Sequence, residues 1–546
     1  MKRVTTLIFV LLSFSLIAIR LNADDSANPP AAGEAATEEN PAAPEAPPND
    51  GAVNARDMEI KAFLDTLAAI EKKATDLRAA VNEAATPVQI AQARQIDKEV
   101  EDFRAAKQTF INRWLNWLEF EDYSKGLPND KTARFGNRGC RPAIGDFNED
   151  GKPDLAAVSC DSDSFYVWLN NGDGTWKESR LTPPNNPHFM GGIALTADFN
   201  GDGRLDLLFA MPNQPLYEYK GDGKGNWEAV DTALQDAFIV GDIQCADIDG
   251  DKDIDVVISI RPQGQDANAA NSPTCKIVML ENDGTGKFTQ KDLGLPSDVM
   301  VNPGAFMLVD INNDGKVDFI NPVPYIPPNP NPNPNNAPRP ANLSVWLNQG
   351  NNTWVLAPQI PTFDRDTQFN AMACADVNGD GLPDLIGVLG SMGVFGERRK
   401  PGEESKTLQI FLNGGQGPWK QVSVETKQPD FVAVEVADIT CDGNQDIILL
   451  TRQPGKMTIL IGDGKGGFKE NRGALPSVEQ GSVCLKACDM DADGAIDVVA
   501  YYVTPVGPAS LLPDSLRTFR IWRNSSVYPQ ILHRIDSIKK ILAEIK

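Results

Sequence analysis

Seven copies of one short acidic pattern carry the clearest chemistry in the sequence. The first copy, residues 146–154, reads DFNEDGKPD, with oxygen-bearing side chains at positions 1, 3, 5 and 9 and glycine at position 6. Carboxylate and carboxamide oxygens that converge on one point are ligands for a hard cation, and glycine permits the sharp turn that gathers them. Ca²⁺ accepts about six to eight flexible oxygen ligands, whereas Mg²⁺ demands a tighter octahedron. The pattern therefore predicts Ca²⁺ as the cofactor, in up to seven sites.

The predicted metal ligands occupy the same four positions in every copy. Copy by copy they are Asp146, Asn148, Asp150 and Asp154; Asp198, Asn200, Asp202 and Asp206; Asp247, Asp249, Asp251 and Asp255; Asp310, Asn312, Asp314 and Asp318; Asp376, Asn378, Asp380 and Asp384; Asp438, Thr440, Asp442 and Asp446; and Asp489, Asp491, Asp493 and Asp497. We expect the third and sixth sites to be weaker, because Lys252 replaces the glycine in the third copy and Thr440 replaces Asn or Asp in the sixth.

An EF-hand and a metal-free turn are the two alternatives to a calcium loop of this kind. An EF-hand needs a bidentate Glu at position 12 of its loop. The first two copies have Ala157 and Phe209 there, so that an EF-hand is excluded. The second alternative is a set of Asx turns that hold no metal, and the pattern alone leaves it open.

The acidic copies recur with the period of a repeat architecture. Their starting positions are 49 to 66 residues apart, and each copy lies between two strand-like segments. A third strand follows, with a glycine turn that ends in an aromatic residue, as in VWLNNGDGTW at residues 167–176. Such a turn indicates a hairpin into a fourth strand. Four antiparallel strands in each repeat predict a mainly β protein, a seven-bladed β-propeller with calcium loops.

Over about residues 131–523 the chain resembles the FG-GAP/VCBS repeat family, whose repeats also form the head of integrin α-chains. The loop, the glycine hairpin and the period all agree with that family. The resemblance implies a propeller with calcium in the loops that join the first and second strands of each blade. It implies no single activity, because members include adhesion heads, lectin-like binders and a few polysaccharide-degrading enzymes.

The seventh repeat lacks a fourth strand of its own. Its third strand, near Phe519–Arg523, continues into Asn524-Ser-Ser without the glycine turn. An open strand edge is a template for unwanted pairing, so we expect another segment to cover it. We predict that Thr132–Arg138, just before the first repeat, supplies this strand and brings both helical regions to one blade.

Apolar residues at alternating spacings of 3 and 4 predict helices on both sides of the propeller, which itself takes residues 126–527. A helical hairpin or coiled-coil arm is expected over residues 53–125, and an amphipathic helix over 528–546. The sequence TPVQ at 86–89 offers a capping residue, a proline at the first helical position and a Gln at the third. We favour helices that pack together in a three-helix bundle. The alternative is an arm through which the protein forms oligomers.

The N-terminal residues predict export. Residues 1–23 have a basic start, a short apolar core and a small residue before Asp24, as in a signal peptide; an uncleaved anchor is the alternative. Residues 24–52 are an Ala/Pro/acidic linker that we expect to be disordered. With no second apolar run of spanning length, we expect no membrane span after signal removal, and a periplasmic, cell-surface or secreted protein. The net charge of −24 argues against nucleic acid as a partner.

The cysteines and histidines offer few catalytic motifs. Cys140 and Cys160 lie ten residues either side of the centre of the first loop, which favours a disulfide between them in an exported protein. Cys245, Cys374 and Cys488 are expected to be small buried residues beside the loops. The sequence contains two histidines, which leaves little scope for a zinc site or a Ser-His-Asp triad.

The expected function is binding to an extracellular protein or glycan, as an adhesion or scaffold protein. We place the binding surface on the rim opposite the calcium loops, where the second-to-third strand connections vary in length. Ala210–Leu216 is short, whereas four others are long: Ser259–Lys276, Asn321–Leu343, Gly387–Lys406 and Tyr502–Arg517. They carry the Arg and Tyr side chains that favour binding, namely Arg261, Tyr325, Arg398, Arg399 and Tyr502. The alternative is a calcium-dependent, polysaccharide lyase-like enzyme, which the scarcity of free acid–base residues disfavours.

Overall fold

The computed structural model describes residues 50–545, except 82–84, 115–117, 128–140, 159–164, 184–191, 212–213, 231–236, 263–275, 297–298, 300–305, 323–342, 358–366, 394–407, 416, 423, 425, 427–430, 452–454, 472–474, 479–480 and 505–515. The described residues form two compact units, and residues 109 and 533 mark the limits of the larger one. The predicted signal segment, most of the predicted linker, Cys140, Cys160 and most of the four long connections lie outside the described residues.

The larger unit is a seven-bladed β-propeller, in which each blade is an antiparallel sheet that follows the previous one along the chain. The first blade contains β2 (Ala143–Gly145), β3 (Asp154–Val158), β4 (Phe165–Asn170) and β5 (Trp176–Leu181). The second contains β6 (Ile193–Ala197), β7 (Asp206–Ala210), β8 (Tyr217–Gly221) and β9 (Trp227–Val230). The third contains β10 (Ala237–Ala246), β11 (Asp255–Pro262), β12 (Lys276–Asn282) and β13 (Phe288–Asp292).

The fourth to sixth blades repeat this order of strands. They are β14 (Met307–Val309), β15 (Asp318–Asn321), β16 (Ser344–Asn348) and β17 (Trp354–Leu356); β18 (Thr367–Ala375), β19 (Asp384–Gly393), β20 (Leu408–Leu412) and β21 (Lys420–Val422); and β22 (Phe431–Ala437), β23 (Asp446–Thr451), β24 (Gly455–Gly462) and β25 (Phe468–Glu470). A short strand, β26 (Ser477–Val478), pairs with the start of β24 in the sixth blade.

The seventh blade closes the ring by strand exchange, as predicted, but with a different segment. Its own strands are β27 (Gly481–Cys488), β28 (Asp497–Thr504) and β29 (Leu516–Asn524), and β1 (Phe120–Asp122) pairs with β29 in the fourth place. The prediction of Thr132–Arg138 was therefore wrong, and those residues lie outside the described part. Two of the three residues in β1 are acidic, so the strand has no apolar alternation. Instead, Glu121 and Asp122 pair with Arg523 and Arg520 at 2.9 and 3.0 Å.

The core of the propeller lies in the spaces between neighbouring blades. Between the first two blades, Phe165 stacks on Phe209 with ring centroids 4.1 Å apart. Between the seventh and the first, Trp168 packs edge-on against Phe519. The second strands are apolar on both faces because both faces are covered, as in β3 and β7. Each fully buried aromatic or aliphatic side chain contributes about 1.5–3 kcal/mol to folding.

The smaller unit consists of α1 (Asp50–Ala79), most of α2 (Pro87–Trp114) and the end of α3 (Val527–Ala543). The predicted capping box forms, since Gln89 N donates to Thr86 Oγ1 at 3.3 Å and Thr86 N donates to Gln89 Oε1 at 2.8 Å. The predicted apolar seams are buried at Phe63, Leu67, Ile70, Ala74, Ile96, Val100, Ile535, Ile538, Leu542 and Ile545.

Ion pairs join α3 to both other helices. Arg534 contacts Glu71 of α1 at 3.3 Å, and Lys539 contacts Glu101 of α2 at 2.7 Å. The expected three-helix bundle is therefore present. Among the described residues, no helix combines the length and the apolar character that a membrane span requires. Self-association through the helices remains a prediction.

Candidate metal-binding loops

All seven acidic patterns form the connection between the first and second strands of a blade. The aspartate at position 1 organises the turn. Asp146 accepts the backbone N–H of Asp150 at 3.0 Å and that of Gly151 at 2.7 Å. In five other loops the backbone N–H groups at positions 5 and 6 donate in the same way to the aspartate at position 1, which is Asp198, Asp310, Asp376, Asp438 or Asp489. Each of these loops is thus wrapped around its first carboxylate.

Position 6 requires a left-handed backbone. Gly151 has a φ of +85°, which glycine adopts without a Cβ clash. In the third loop Lys252 adopts a φ of +81°, a conformation that costs an L-residue about 1–2 kcal/mol. Its N–H nevertheless donates to Asp247 at 3.0 Å. The third loop therefore keeps the backbone turn despite the loss of glycine.

Positions 3 and 5 continue the network. Asn148 Oδ1 accepts the Asp150 N–H at 3.0 Å, and Asp150 Oδ1 accepts the Lys152 N–H at 3.0 Å. In three loops a basic side chain at position 7 also reaches the carboxylate at position 5: Lys152 to Asp150 at 3.1 Å, Arg204 to Asp202 at 3.6 Å and Lys316 to Asp314 at 3.5 Å. These cations lower the net negative charge of their loops.

The aspartate at position 9 is fully buried in all seven loops, and both of its oxygens accept backbone N–H groups. Asp154 accepts from Phe147 at 2.9 Å, within the loop, and from Asn170 at 2.7 Å, at the end of the third strand. The corresponding residues are Asp206, Asp255, Asp318, Asp384, Asp446 and Asp497. Position 9 therefore fastens the loop to the blade, a role that the sequence pattern did not reveal.

Burial raises the pKa of these carboxyls. The pKa is about 7 for Asp154, about 6 for Asp206 and about 8 for Asp497, from an ordinary value of 3.8. The negative charges at positions 1 and 5 raise the pKa of Asp154 further, while the two backbone N–H donors lower it. A cation at the centre of the loop would relieve this repulsion and favour the ionised form.

An asparagine to which the sequence pattern assigned no role joins each of five blades to the blade before it. Asn348, at the end of the third strand, donates through Nδ2 to the carbonyl of Ile248, at position 2 of the preceding loop, at 2.8 Å. Equivalent bonds run from Asn282 to Phe199, Asn413 to Ile311 and Asn524 to Ile439, and Asn170 to Met490 joins the first blade to the seventh. At the other two junctions, Gly225 N and Gly466 N donate to the carbonyls of Phe147 and Val377.

These bonds explain the asparagine in the recurring segments WLNNG, LENDG, WLNQG and FLNGG. The recurring asparagine was visible in the sequence, but its hydrogen-bond partner was not, because donor and acceptor of the Asn348 bond are 100 residues apart. Each acidic loop is consequently bonded both to its own blade and to the next one. Any ligand that orders a loop also acts on a junction between blades.

Two loops bring three carboxylates together. In the described part of the chain, carboxylate oxygens of Asp247, Asp249 and Asp251, and likewise those of Asp489, Asp491 and Asp493, lie within 4.8 Å of one another. These two loops have Asp rather than Asn or Thr at position 3. In the seventh loop Arg523 also contacts Asp491 at 3.4 Å. The third loop, expected to be weak, therefore also brings three carboxylates within 4.8 Å of one another.

The sixth loop differs from the others at position 3. The hydroxyl of Thr440 donates to Asp446 at 3.0 Å, so it is bonded inside the loop. A neutral hydroxyl in this place gives a hard cation a poorer ligand than a carboxylate or a carboxamide oxygen. The expected weakness of the sixth site stays a prediction, and this bond supports it.

The donor set of the loops fits a hard cation. Positions 1, 3, 5 and 9 supply oxygen atoms from carboxylate, carboxamide or hydroxyl groups in every loop, and no predicted ligand is a soft sulfur or an imidazole. Cys441, at position 4 of the sixth loop, has its thiol pKa raised by burial to about 12. A neutral thiol is a poor metal ligand.

The other predicted residues divide into two groups. Cys245, Cys374 and Cys488 were expected to be buried, but all three are only partly buried, each packed against a core cluster. Cys245 and Cys488 are free, and desolvation by the surrounding protein raises the pKa of each thiol to about 12. Cys374 is also free, and burial raises its pKa as well. Tyr325, Arg398 and Arg399 lie outside the described residues, and for Arg261 and Tyr502 only the backbone is described.

Comparison with known proteins supports the repeat assignment. Residues 146–209, 198–258 and 336–387 match the family model described as the FG-GAP-like repeat. No curated protein matches the chain. Among solved structures, the chain is similar to a complex of BBS1N with ARL6DN soaked with mercury, at 11% identity over 74% of this chain and 97% of that one, with a TM-score of 0.39. It is also similar to AofleA from Arthrobotrys oligospora, at 14% identity over 67% and 91%, with a TM-score of 0.34.

The matched segments contain the first, second, third and fifth acidic loops, and the sheets around all seven loops have the same strand order. The chain therefore contains FG-GAP-like repeats, and it forms a seven-bladed β-propeller.

Proposed function

We propose that this protein is an exported, calcium-stabilised propeller with a binding or scaffold role. The observation that carries the proposal is the oxygen-only donor set repeated in all seven first connections of the propeller. Without a cation, each loop holds its carboxylates in mutual repulsion, which adds to the effect of burial in raising the pKa of members such as Asp255 to about 7. A bound Ca²⁺ removes that repulsion and uses the flexible geometry that such loops offer.

Calcium has a structural role in this proposal. Positions 1, 3, 5 and 9 would hold the ion, and the ion would supply the positive charge that the loops lack. Because each loop is also bonded to the next blade, as at Asn348 and Ile248, loading would strengthen the ring as well as the single blade. A rigid ring is what a binding surface on the propeller requires.

Calorimetric melting of the full chain tests the calcium assignment. A ligand that binds only the folded state stabilises it by RT ln(1 + [L]/Kd), about 2.7 kcal/mol for each site at a hundredfold excess over Kd. We expect the propeller transition to rise strongly in Ca²⁺ relative to EGTA, with Mg²⁺ much less effective. Overlapping propeller transitions in Ca²⁺ and EGTA would contradict the proposal.

A pair of variants makes this test specific to the loops. Asp493→Asn removes a convergent carboxylate of the seventh loop and should reduce the calcium response. Asp463→Asn changes an exposed hairpin aspartate that bonds only Lys465 and Gly467 of its own turn. Its calcium response should equal that of the parent.

The partner of the propeller is proposed to be an extracellular protein or glycan, bound at the rim opposite the loops. A screen against glycans and extracellular-matrix proteins, with and without Ca²⁺, tests this. Shortening the four long connections to the length of Ala210–Leu216 should abolish binding to any partner found and leave calcium uptake intact. Export is tested separately, since the mature protein should begin at Asp24.

A further inference from the structure

One buried carboxylate in the propeller core has no hydrogen-bond partner. Glu218 lies in β8, the third strand of the second blade, and is 1% exposed. Neither of its carboxylate oxygens accepts a hydrogen bond. An ionised carboxylate in such a place strongly destabilises the folded state unless a positive charge compensates it. Glu218 therefore calls for a compensating group.

The same position is apolar in every other blade. The residue at the end of each third strand donates its N–H to the aspartate at position 9, as Gly221 does to Asp206 at 3.0 Å. This shared bond defines which positions are equivalent in the seven blades. Three residues earlier the other blades have buried apolar side chains, which are Val167, Met279, Val345, Ile410, Ile459 and Ile521. An apolar side chain would thus be enough to fill this position, but the second blade has a glutamate there.

The carboxylate of Glu218 lies close to the second acidic loop. A Cβ built on Gly286, in the hairpin of the third blade, would stand 3.2 Å from Glu218 Oε1 and 3.4 Å from the Cβ of Asn200, which is position 3 of that loop. Burial, and in addition the charge of Asp206, raise the pKa of Glu218 to about 7. Glu218 and Asn200 therefore both lie beside the Gly286 hairpin, and Asn200 Nδ2 in turn donates to Asp206 at 3.0 Å.

Lys220 offsets part of the charge of Glu218 and lowers its pKa, but it forms no hydrogen bond with either carboxylate oxygen. Lys220 lies on the same strand, but its ammonium is directed at the hairpin of the third blade, where it donates to the carbonyl of Thr285 at 3.4 Å. Within the loop, Arg204 is 3.6 Å from Asp202 and reduces the charge available to an ion. The second loop also has Asn where the third and seventh loops have Asp.

We propose that Glu218 contributes its charge to the cation site of the second loop, acting from the third strand as a carboxylate outside the nine-residue pattern. This inference rests on the proposed calcium binding. It gives the second loop four carboxylates, the number present in the third and seventh loops. It also accounts for an acid in a position where every other blade is apolar.

The test is a comparison of Glu218→Met with the parent, in the full chain, in EGTA and in saturating Ca²⁺. Methionine is the side chain at the equivalent position of the third blade, Met279. In EGTA, Glu218→Met should raise the melting temperature of the propeller, because a buried unpartnered acid is replaced by an apolar side chain. In Ca²⁺ this gain should disappear or reverse. Native mass spectrometry at limiting Ca²⁺ should count one ion fewer.

Titration calorimetry should show one site weakened by about 10–100-fold, the effect typical of removing a supporting group from a metal site. Glu218→Gln keeps the shape of the side chain and removes its charge, so it should weaken the same site. This variant keeps the proposal testable if Glu218→Met does not fold. In an Asp202→Asn background, where the second loop is already impaired, Glu218→Met should raise the melting temperature equally in both solutions.

Two outcomes separate the two proposals. If the parent responds to Ca²⁺, but Glu218→Met gives the same gain in EGTA and Ca²⁺ and unchanged calcium titrations, the assignment of Glu218 is overturned and calcium binding stands. If the parent itself shows no response to Ca²⁺, the calcium proposal fails, and the role of Glu218 fails with it.

Discussion

The propeller and the helical bundle hold their charged residues in opposite ways. In the propeller, seven aspartates such as Asp497 are fully buried and bonded to the backbone. In the bundle, the apolar seam is buried and the ion pairs lie outside, as with Arg78 and Glu544, whose side chains are 45% and 53% exposed. The propeller therefore depends on the state of its carboxylates, whereas the bundle depends on apolar packing. One chain thus contains a unit that should respond to pH and cations and a unit that should respond little to either.

The largest expected contrast is in the dependence on pH. The folded pKa of the seven aspartates at position 9 is raised, to about 6 for Asp206 and about 8 for Asp497, above the ordinary 3.8. Between about pH 4 and pH 8 the folded propeller then binds more protons than the unfolded chain, so its unfolding free energy falls as pH rises. We expect the metal-free propeller to melt at lower temperature as pH rises through this window, and the bundle to stay nearly constant.

Calcium should reverse the sign of this pH dependence. Protons compete with the ion for the same oxygens, so the loaded propeller should lose stability as pH falls. Calorimetric scans in EGTA and in Ca²⁺ at several pH values measure both slopes. The same slope in the two solutions would show that the buried aspartates are not linked to a cation.

The next largest effect is expected from a single aspartate at position 9. Asp154→Ala leaves the N–H groups of Phe147 and Asn170 without their acceptor. Each unpaired buried donor costs about 1–3 kcal/mol, so we expect a loss of about 2–6 kcal/mol, measured in EGTA to exclude metal effects. Asp173→Ala is the control, because Asp173 bonds only Thr175 in an exposed turn. Equal shifts for both variants would argue against the fastening role of position 9.

A smaller effect is expected at a junction between blades. Asn348→Ala removes the bonds to the carbonyls of Ile248 and Val317, at 2.8 and 3.1 Å. We expect a loss of about 1–3 kcal/mol in the propeller transition and none in the bundle. Gln349→Ala, on the same hairpin but exposed, is the matched control. If Asn348→Ala melts like Gln349→Ala, the bond does not hold the blades together.

The smallest effect is expected at the surface of the bundle. Arg78→Ala removes the 2.9 Å contact with Glu544 and should cost no more than about 1 kcal/mol, since exposed ion pairs are weak. Phe63→Ala, in the buried seam where Phe63 packs 4.5 Å from Phe103, should cost about 3–5 kcal/mol. Helical circular dichroism on heating measures both variants. An Arg78 effect as large as the Phe63 effect would remove the contrast between the two units.

The elements that repeat at short range could be predicted from the sequence. The acidic nonapeptide, the glycine turns and the period of 49 to 66 residues indicated seven blades, and the spacing of apolar residues indicated three helices. The capping box at Thr86 was predicted from four adjacent residues and is present. These features are readable because the interactions that cause them join residues close together in the chain.

Contacts between residues that are distant in the chain could not be predicted from the sequence and are seen only in the folded protein. The strand that closes the ring, Phe120–Asp122, pairs with a strand about 400 residues later in the chain. Its own sequence did not predict a strand, because two of its three residues are acidic. The bond from Asn348 to Ile248 and the approach of Glu218 to Asn200 likewise depend on how one blade lies against the next. Such contacts form between separate repeats, so the pattern within one repeat carries no record of them. The physical reason is that periodicity reports which face of an element is buried, whereas the partner of that face is chosen when the blades pack.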